Sequence, residues 1–290
     1  MVANRIIKVF AGSVAVALAG GTSAASASQG AVTTTTSTAY VVNQTSNTVT
    51  PISTATNTPG KAISVGLVPD AIAITPGGGT AYVANSHSNT VTPISTTTNT
   101  AGKPITVGTE PDAIKITPNG ATAYVANSAR FAGSPTVTPI RTATNTTGKP
   151  ISVGLLPLAI AITPDSHTAY VLSAAAQQVT PIRTATNQAL KPVPVGNQPD
   201  AIAITPAGGT TYVANFGSGT VTPISTATNT AGKPITVGAG PVALAVTPNG
   251  KTVYVANANS GTVTPISTAT NTAGTAITVG QLPDAIAITP

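Results

Sequence analysis

Four side chains in this sequence are of types that do acid–base or metal chemistry and fall at related places in a repeating frame: His87, Glu110, Asp112 and Arg130. A histidine beside two carboxylates would act as a general base or hold a divalent cation. The plainer reading is four solvated loop residues. The other histidine, His167, falls in a loop of the opposite kind, so the two are not joint ligands. The chain has no cysteine, which removes thiolate nucleophiles, thiolate metal sites and disulfides together. No HExxH, GxSxG, GxGxxG or GxxxxGK pattern occurs. Gly77, Gly78 and Gly79 make a turn between strands, with no helix following to cradle a phosphate. No catalytic residue, cofactor or metal is assigned from the sequence.

The frame that positions these residues is a repeat. A phrase of the form Thr-Ala-Tyr-Val-x-Asn starts at Thr38, Thr80, Thr122, Thr168, Thr210 and Thr252, so its starts lie 42, 42, 46, 42 and 42 residues apart. Self-similarity at about 40–45 residues with several strand-like runs per unit predicts a β-propeller, one unit per blade. In the unit from Thr80, runs at 80–85, 90–95, 104–107 and 112–117 are β-branched or aromatic, and each is bounded by Gly, Pro, Asn or Ser. Four antiparallel strands per unit follow. The second run carries a proline in every unit (Pro51, Pro93, Pro139, Pro181, Pro223 and Pro265), which predicts a bulge or local bend there. The last run, 284–289, is the strand still unpaired when the first blade begins. Pairing it with the first blade would close a six-bladed ring and remove the open edge.

The motifs resemble the YVTN-repeat family of secreted and surface-layer β-propellers. The likeness rests on Tyr-Val-x-Asn at 40–43, 82–85, 124–127, 212–215 and 254–257, with recurring Val-Gly-x-x-Pro and Pro-x-Gly turns. It covers residues 38–290 and implies fold far more than function. Two departures stand out: Ser173 replaces the Asn, and proline replaces the family's usual valine in the second strand. The resemblance leans towards seven blades, and a seven-bladed or incomplete ring is the alternative to six.

Residues 1–27 lie outside the repeat. Arg5 and Lys8 precede an apolar segment at 9–19, and Ala25, Ser26 and Ala27 form a small-residue cleavage site. This is the layout of a secretory signal peptide, cleaved after Ala27, and its apolar run is too short to span a bilayer. Residues 28–37 read as a Thr/Ser/Ala-rich linker. Removing the leader leaves ten basic and six acidic groups, a net charge of +4. That charge, without aromatic–basic interleaving, makes nucleic-acid binding the weakest of the functional readings.

Six equally spaced tyrosines read as packing residues and not as a stacking platform. Asp70, Asp112, Asp200 and Asp284 recur at the start of the innermost strand, with Leu158 and Val242 in the other units; turn capping is the blander account of them. Lys61, Lys103, Lys149, Lys191, Lys233, Arg141, Arg183 and Lys251 are expected on one face, where they would meet an anionic wall polymer or lipid headgroups. The opposite face, holding the loops after the first and third strands, is expected to be acidic. On it the repeat breaks at Arg130 and Phe131 in a four-residue insertion, at Leu155, Leu156 and Leu158, and at Gln177 and Gln178. Apolar clusters on a polar face mark contact sites. The sequence therefore favours an exported, non-catalytic scaffold that binds an envelope protein or polysaccharide. A propeller-type lyase or lactonase using His87, Glu110 and Asp112 is the alternative.

Overall fold

The computed structural model describes residues 16–19, 37–131 and 133–289. They form six antiparallel sheets of five strands each. From the second sheet on, the inner strand opens on proline: Pro69–Ile74, Pro111–Ile116, Pro157–Ile162, Pro199–Ile204 and Pro241–Val246. Next comes the tyrosine strand, from Thr38–Asn43 in the first sheet to Thr252–Asn257 in the sixth, and then the proline strand, from Thr48–Ser53 to Thr262–Ser267. Each inner strand from the second sheet on is supplied by the preceding sequence unit, so successive units are stitched together by sheet hydrogen bonds.

The outermost position is split into two short pieces, as in Thr58–Pro59 and Ile63–Ser64. Proline explains the split. The Pro51 carbonyl accepts from the Gly60 amide on the outer side at 2.7 Å, so the nitrogen of Pro51, which has no hydrogen, faces outward too. One rung is missing there, and the outer strand breaks at residues 60–62. The tyrosine strand, on the other side, runs in unbroken register through Tyr40↔Pro51. The expected distortion at proline is thus found in the partner strand and not in its own. True register shifts occur elsewhere, at the start of the inner strands, where Asp70, Asp112, Leu158, Asp200 and Val242 are the extra residues. A bulge re-aims the side chain it carries.

The core lies between sheets, which is why the tyrosine strands are apolar on both faces. Tyr40, Val42 and Val49 of the first sheet pack against Ala81, Val83 and Ile94 of the second. The same contact recurs at each junction up to Tyr212 against Val253, Val255 and Ile266. A hydrogen bond crosses each of these junctions. Tyr40, Tyr82, Tyr124, Tyr170 and Tyr212 donate their hydroxyls at 2.6 Å to the Oδ1 atoms of Asn99, Asn145, Asn187, Asn229 and Asn271. Each acceptor sits in a tight turn with φ of 52–54°.

The two ends differ from the interior. Ala39, Val41 and Ile52 are only half-buried, whereas their counterparts Ala81, Val83 and Ile94 are fully buried. Ile277 is 49 % exposed, although the matching Ile235 is buried. Among the described hydrogen bonds, Tyr254 and Asn57 make no cross-sheet pair. The expected pairing of 284–289 with the first sheet is absent: those residues carry no strand, and Val16–Ala19 lies on that edge instead. The expected cleavage site at Ala25, Ser26 and Ala27 lies outside the described residues.

Candidate functional site

From the second sheet on, one face of the molecule is built from two loops per sheet that hydrogen-bond to each other. The Gly-x-x-Pro loop leads into the inner strand, and the second loop joins the tyrosine and proline strands. In the second sheet, Ser86 and His87 donate their amides to the carbonyls of Val68 and Leu67 at 2.9 and 3.2 Å. Val68 in turn donates its amide to Asn47 Oδ1 of the first sheet at 2.8 Å. The glycine of this loop is obligatory, because a Cβ on Gly66 would lie 2.8 Å from Asn85 Cβ. The residue before the proline is left-handed whatever its type: Val68, Glu110, Leu156 and Gln198 have φ of 50°, 53°, 58° and 48°. Such residues are held by their surroundings at a cost of about 1–3 kcal/mol each.

The insertion in the third sheet is clamped by acids. The Arg130 amide donates to Glu110 Oε2 at 2.5 Å, and its guanidinium meets Asp112 Oδ2 at 2.6 Å. Burial pushes the Asp112 carboxyl above its usual range, and the Asp70 charge adds to that shift. Ser128 and Arg130 pull the other way. A close ion pair alone would lower the value; loss of water around a bulged inner-strand carboxyl outweighs it. With Arg130 tied down, Phe131 projects, 87 % exposed.

In the fourth sheet, Leu155 and Leu156 accept from the amides of Ala176 and Ala174 at 3.3 and 2.8 Å. Leu155 is 61 % exposed, Leu156 half-buried, and Leu158 occupies the bulge. Gln177 is exposed with φ 52°. Gln178 folds over Gly154, where a Cβ would lie 2.5 Å from its Nε2. The predicted residues thus form two groups, Arg130 with Phe131 and the leucines with the glutamines. They adjoin where the Val153 amide meets the Pro135 carbonyl at 3.5 Å.

His87 does not join the carboxylates. It belongs to the second sheet, is exposed, and has Ser86 Oγ at 3.2 Å from Nδ1. Glu110 and Asp112 face Arg130 instead. Among the described residues, no three His, Cys, Asp or Glu side chains are grouped to hold a metal ion. On the opposite face His167 Nδ1 lies 3.0 Å from Asp165. The Thr163 hydroxyl and the His167 amide hold that carboxyl below its usual range. Asp70 accepts from Gln44 Nε2.

The eight cations expected together on one face are all exposed, but they divide between two places. Arg141 and Arg183 end proline strands on the His167 face, and Lys251 lies in a loop there. Lys61, Lys103, Lys149, Lys191 and Lys233 sit in the gaps of the split outer strands, at mid-height on the rim. Sequence reasoning placed them on the face because it read the outer strand as one piece beginning after lysine. It also missed the Tyr–Asn clasps, although Thr-x-Thr-Asn before the outer strand in all six units was available as a signal.

No family model and no curated protein sequence matches the chain. Solved structures do. Hydrazine synthase from Kuenenia stuttgartiensis aligns with a TM-score of 0.69 at 22 % identity, over 86 % of this chain and 85 % of that one. A functionally unknown protein from Desulfotomaculum acetoxidans DSM 771 aligns with a TM-score of 0.72 at 20 % identity, over 85 % and 81 %. These likenesses, with the six repeated sheets, define an all-β, β-propeller-like protein. At such identity they carry fold and no chemistry.

Proposed function

We propose that this chain is an exported, non-catalytic scaffold at the cell envelope, a six-bladed propeller whose termini pair to close the ring. Its contact sector comprises Arg130, Phe131, Leu155, Leu156, Leu158, Gln177 and Gln178, and its partner is an envelope protein or polysaccharide. The observation that carries this reading is Phe131, 87 % exposed, beside Leu155, 61 % exposed, on adjoining loops. Leu67, in the place of Leu155 in the second sheet, is 54 % exposed, but its flanking loops at 44–47 and 86–89 carry no Phe, Tyr or Trp. An aromatic and an arginine are the side chains that anchor interfaces, and Arg130 is already ordered by two acids. Replacing Phe131 and Leu155 with Ser should cut capture of material from envelope extract at least tenfold while the melting temperature stays within a degree or two. Undiminished capture would reject the sector.

The rim offers a second contact for anionic wall polymer. Lys149 borders a groove of about 530 Å³ lined by Pro150, Ile151, Ser152, Thr186, Asn187 and Ala189, a mixed surface in which Lys149 supplies the charge and Ser152 and Thr186 the hydroxyls. Binding of this kind weakens above about 0.1 M salt, whereas the apolar sector holds.

A further inference from the structure

The inner edge of Thr38–Asn43 is a strand-acceptor site, and two segments of this chain fit it. Residues 283–289 read Pro-Asp-Ala-Ile-Ala-Ile-Thr, identical to 69–75 and 199–205, which form inner strands. In the second sheet that peptide pairs Ala71↔Ala84, Ile72↔Val83, Ala73↔Tyr82 and Ile74↔Ala81. Transferred to the first sheet, the register would set Ile286 opposite Val41, Ala287 opposite Tyr40 and Ile288 opposite Ala39. Those three positions are taken by Val16, Ala17 and Leu18, antiparallel and in the same order. The occupant comes from the apolar run of the leader, while 283–289 stands without a strand.

We propose that the leader is a placeholder in a peptide-binding edge whose proper ligand is the chain's own segment 283–289, seated in cis once the leader is removed. The proposal rests on the reading that the ring closes through its termini. Strand addition to an exposed edge draws affinity from backbone pairing and selectivity from alternate side chains. The leader offers four opposed residues and no bulge. The terminal segment offers five on the pattern of the second sheet, with an Asp at the bulge. It is the better ligand, but the leader is made first and is tethered next to the edge. Other unused contacts point the same way. Closure would bring Tyr254 towards Asn57 and cover Ile277 and Val279, which are 49 % and 41 % exposed, together with half-buried Val41 and Ile52.

Because the chain has no cysteine, introduced pairs report pairing without background. Val41→Cys with Ile286→Cys should form an intramolecular disulfide at least tenfold faster in a chain starting at Ser28 than in residues 1–290. Ile72→Cys with Val83→Cys, the same opposition inside the second sheet, should close in both and confirms folding. In the unaltered chain, amides of 285–288 should gain protection from hydrogen exchange on leader removal. Equal crosslinking in both forms would reject the placeholder and leave closure standing. No crosslink in either form would reject closure itself. Disulfide-linked dimers would show that the segment acts in trans, against this assignment.

Discussion

At the residue scale, the fourth sheet shows what the repeated Asn does. Asn85 Nδ2 donates to the hydroxyls of Thr90 and Thr92 at 3.2 and 3.0 Å, and Asn127, Asn215 and Asn257 bond in the same way. Where Ser173 replaces it, Ser173 Oγ and Thr180 Oγ1 are buried without a partner. Gln178 fills the vacated space over Gly154. Restoring Asn alone would collide with Gln178, so the useful variant is Ser173→Asn with Gln178→Thr. It should raise stability by about 0.5–1.5 kcal/mol in denaturant titration, the usual net worth of a hydrogen bond. The gain should be no larger, because the Oδ1 atoms of Asn85, Asn127 and Asn257 are themselves buried without a partner. No gain would mean that Gln178 already compensates. The clasp tyrosines make a second prediction. Burial pushes Tyr124 and Tyr170 up to about 12 from 10.0. A folded value above the unfolded one means that the native state holds the proton longer, so this stability is fully present below about pH 10 and lost as pH rises towards 12. Alkaline unfolding followed by tyrosinate absorbance should begin in that window, with tyrosinate appearing together with loss of the β-sheet spectrum. Ionisation near pH 10 without unfolding would show the rings to be solvated.

At the element scale, the split outer strand and its lysine have a structural purpose. Short edge strands, lysine and proline are the devices that keep sheet edges from pairing with other molecules. Five of six edges carry lysine in the gap, and four follow it with Pro104, Pro150, Pro192 or Pro234. The sixth has Thr275 and Ala276. Replacing Lys103, Lys149, Lys191 and Lys233 with Thr should leave the melting temperature nearly unchanged and raise the aggregation rate several-fold by light scattering. Unchanged scattering, with loss of anionic-polymer binding, would instead favour a recognition role. The strands themselves were legible in the sequence because alternation, proline and turn residues all agree over 42 residues. The split was not, since it depends on which way the Pro51 nitrogen faces, and that is set by register across the strand pair. The bulges at Asp70 and its counterparts were hidden for the same reason. The candidate sector was visible as a break in the repeat. That Arg130 would be drawn onto Asp112, leaving Phe131 to project, needed the third dimension.

For the whole molecule, stability is a sum over sheets and the junctions between them, as in other repeat proteins. Interior tyrosine strands bury apolar side chains on both faces, and burying one Val or Ile fully is worth about 1.5–3 kcal/mol. The first sheet lacks that contact on the side of Ala39, Val41 and Ile52, and the sixth lacks it on the side of Tyr254 and Ile277. Opening should therefore begin at the two ends and move inward. In the chain of residues 1–290, amides of 122–127 and 168–173 should exchange at least tenfold more slowly than those of 38–43 and 252–257. The contrast comes from missing junctions and not from the strands, which have nearly the same sequence in all six sheets. Uniform protection would mean that the end faces are covered in solution, and a gradient falling from one end only would place the weak point at a single terminus.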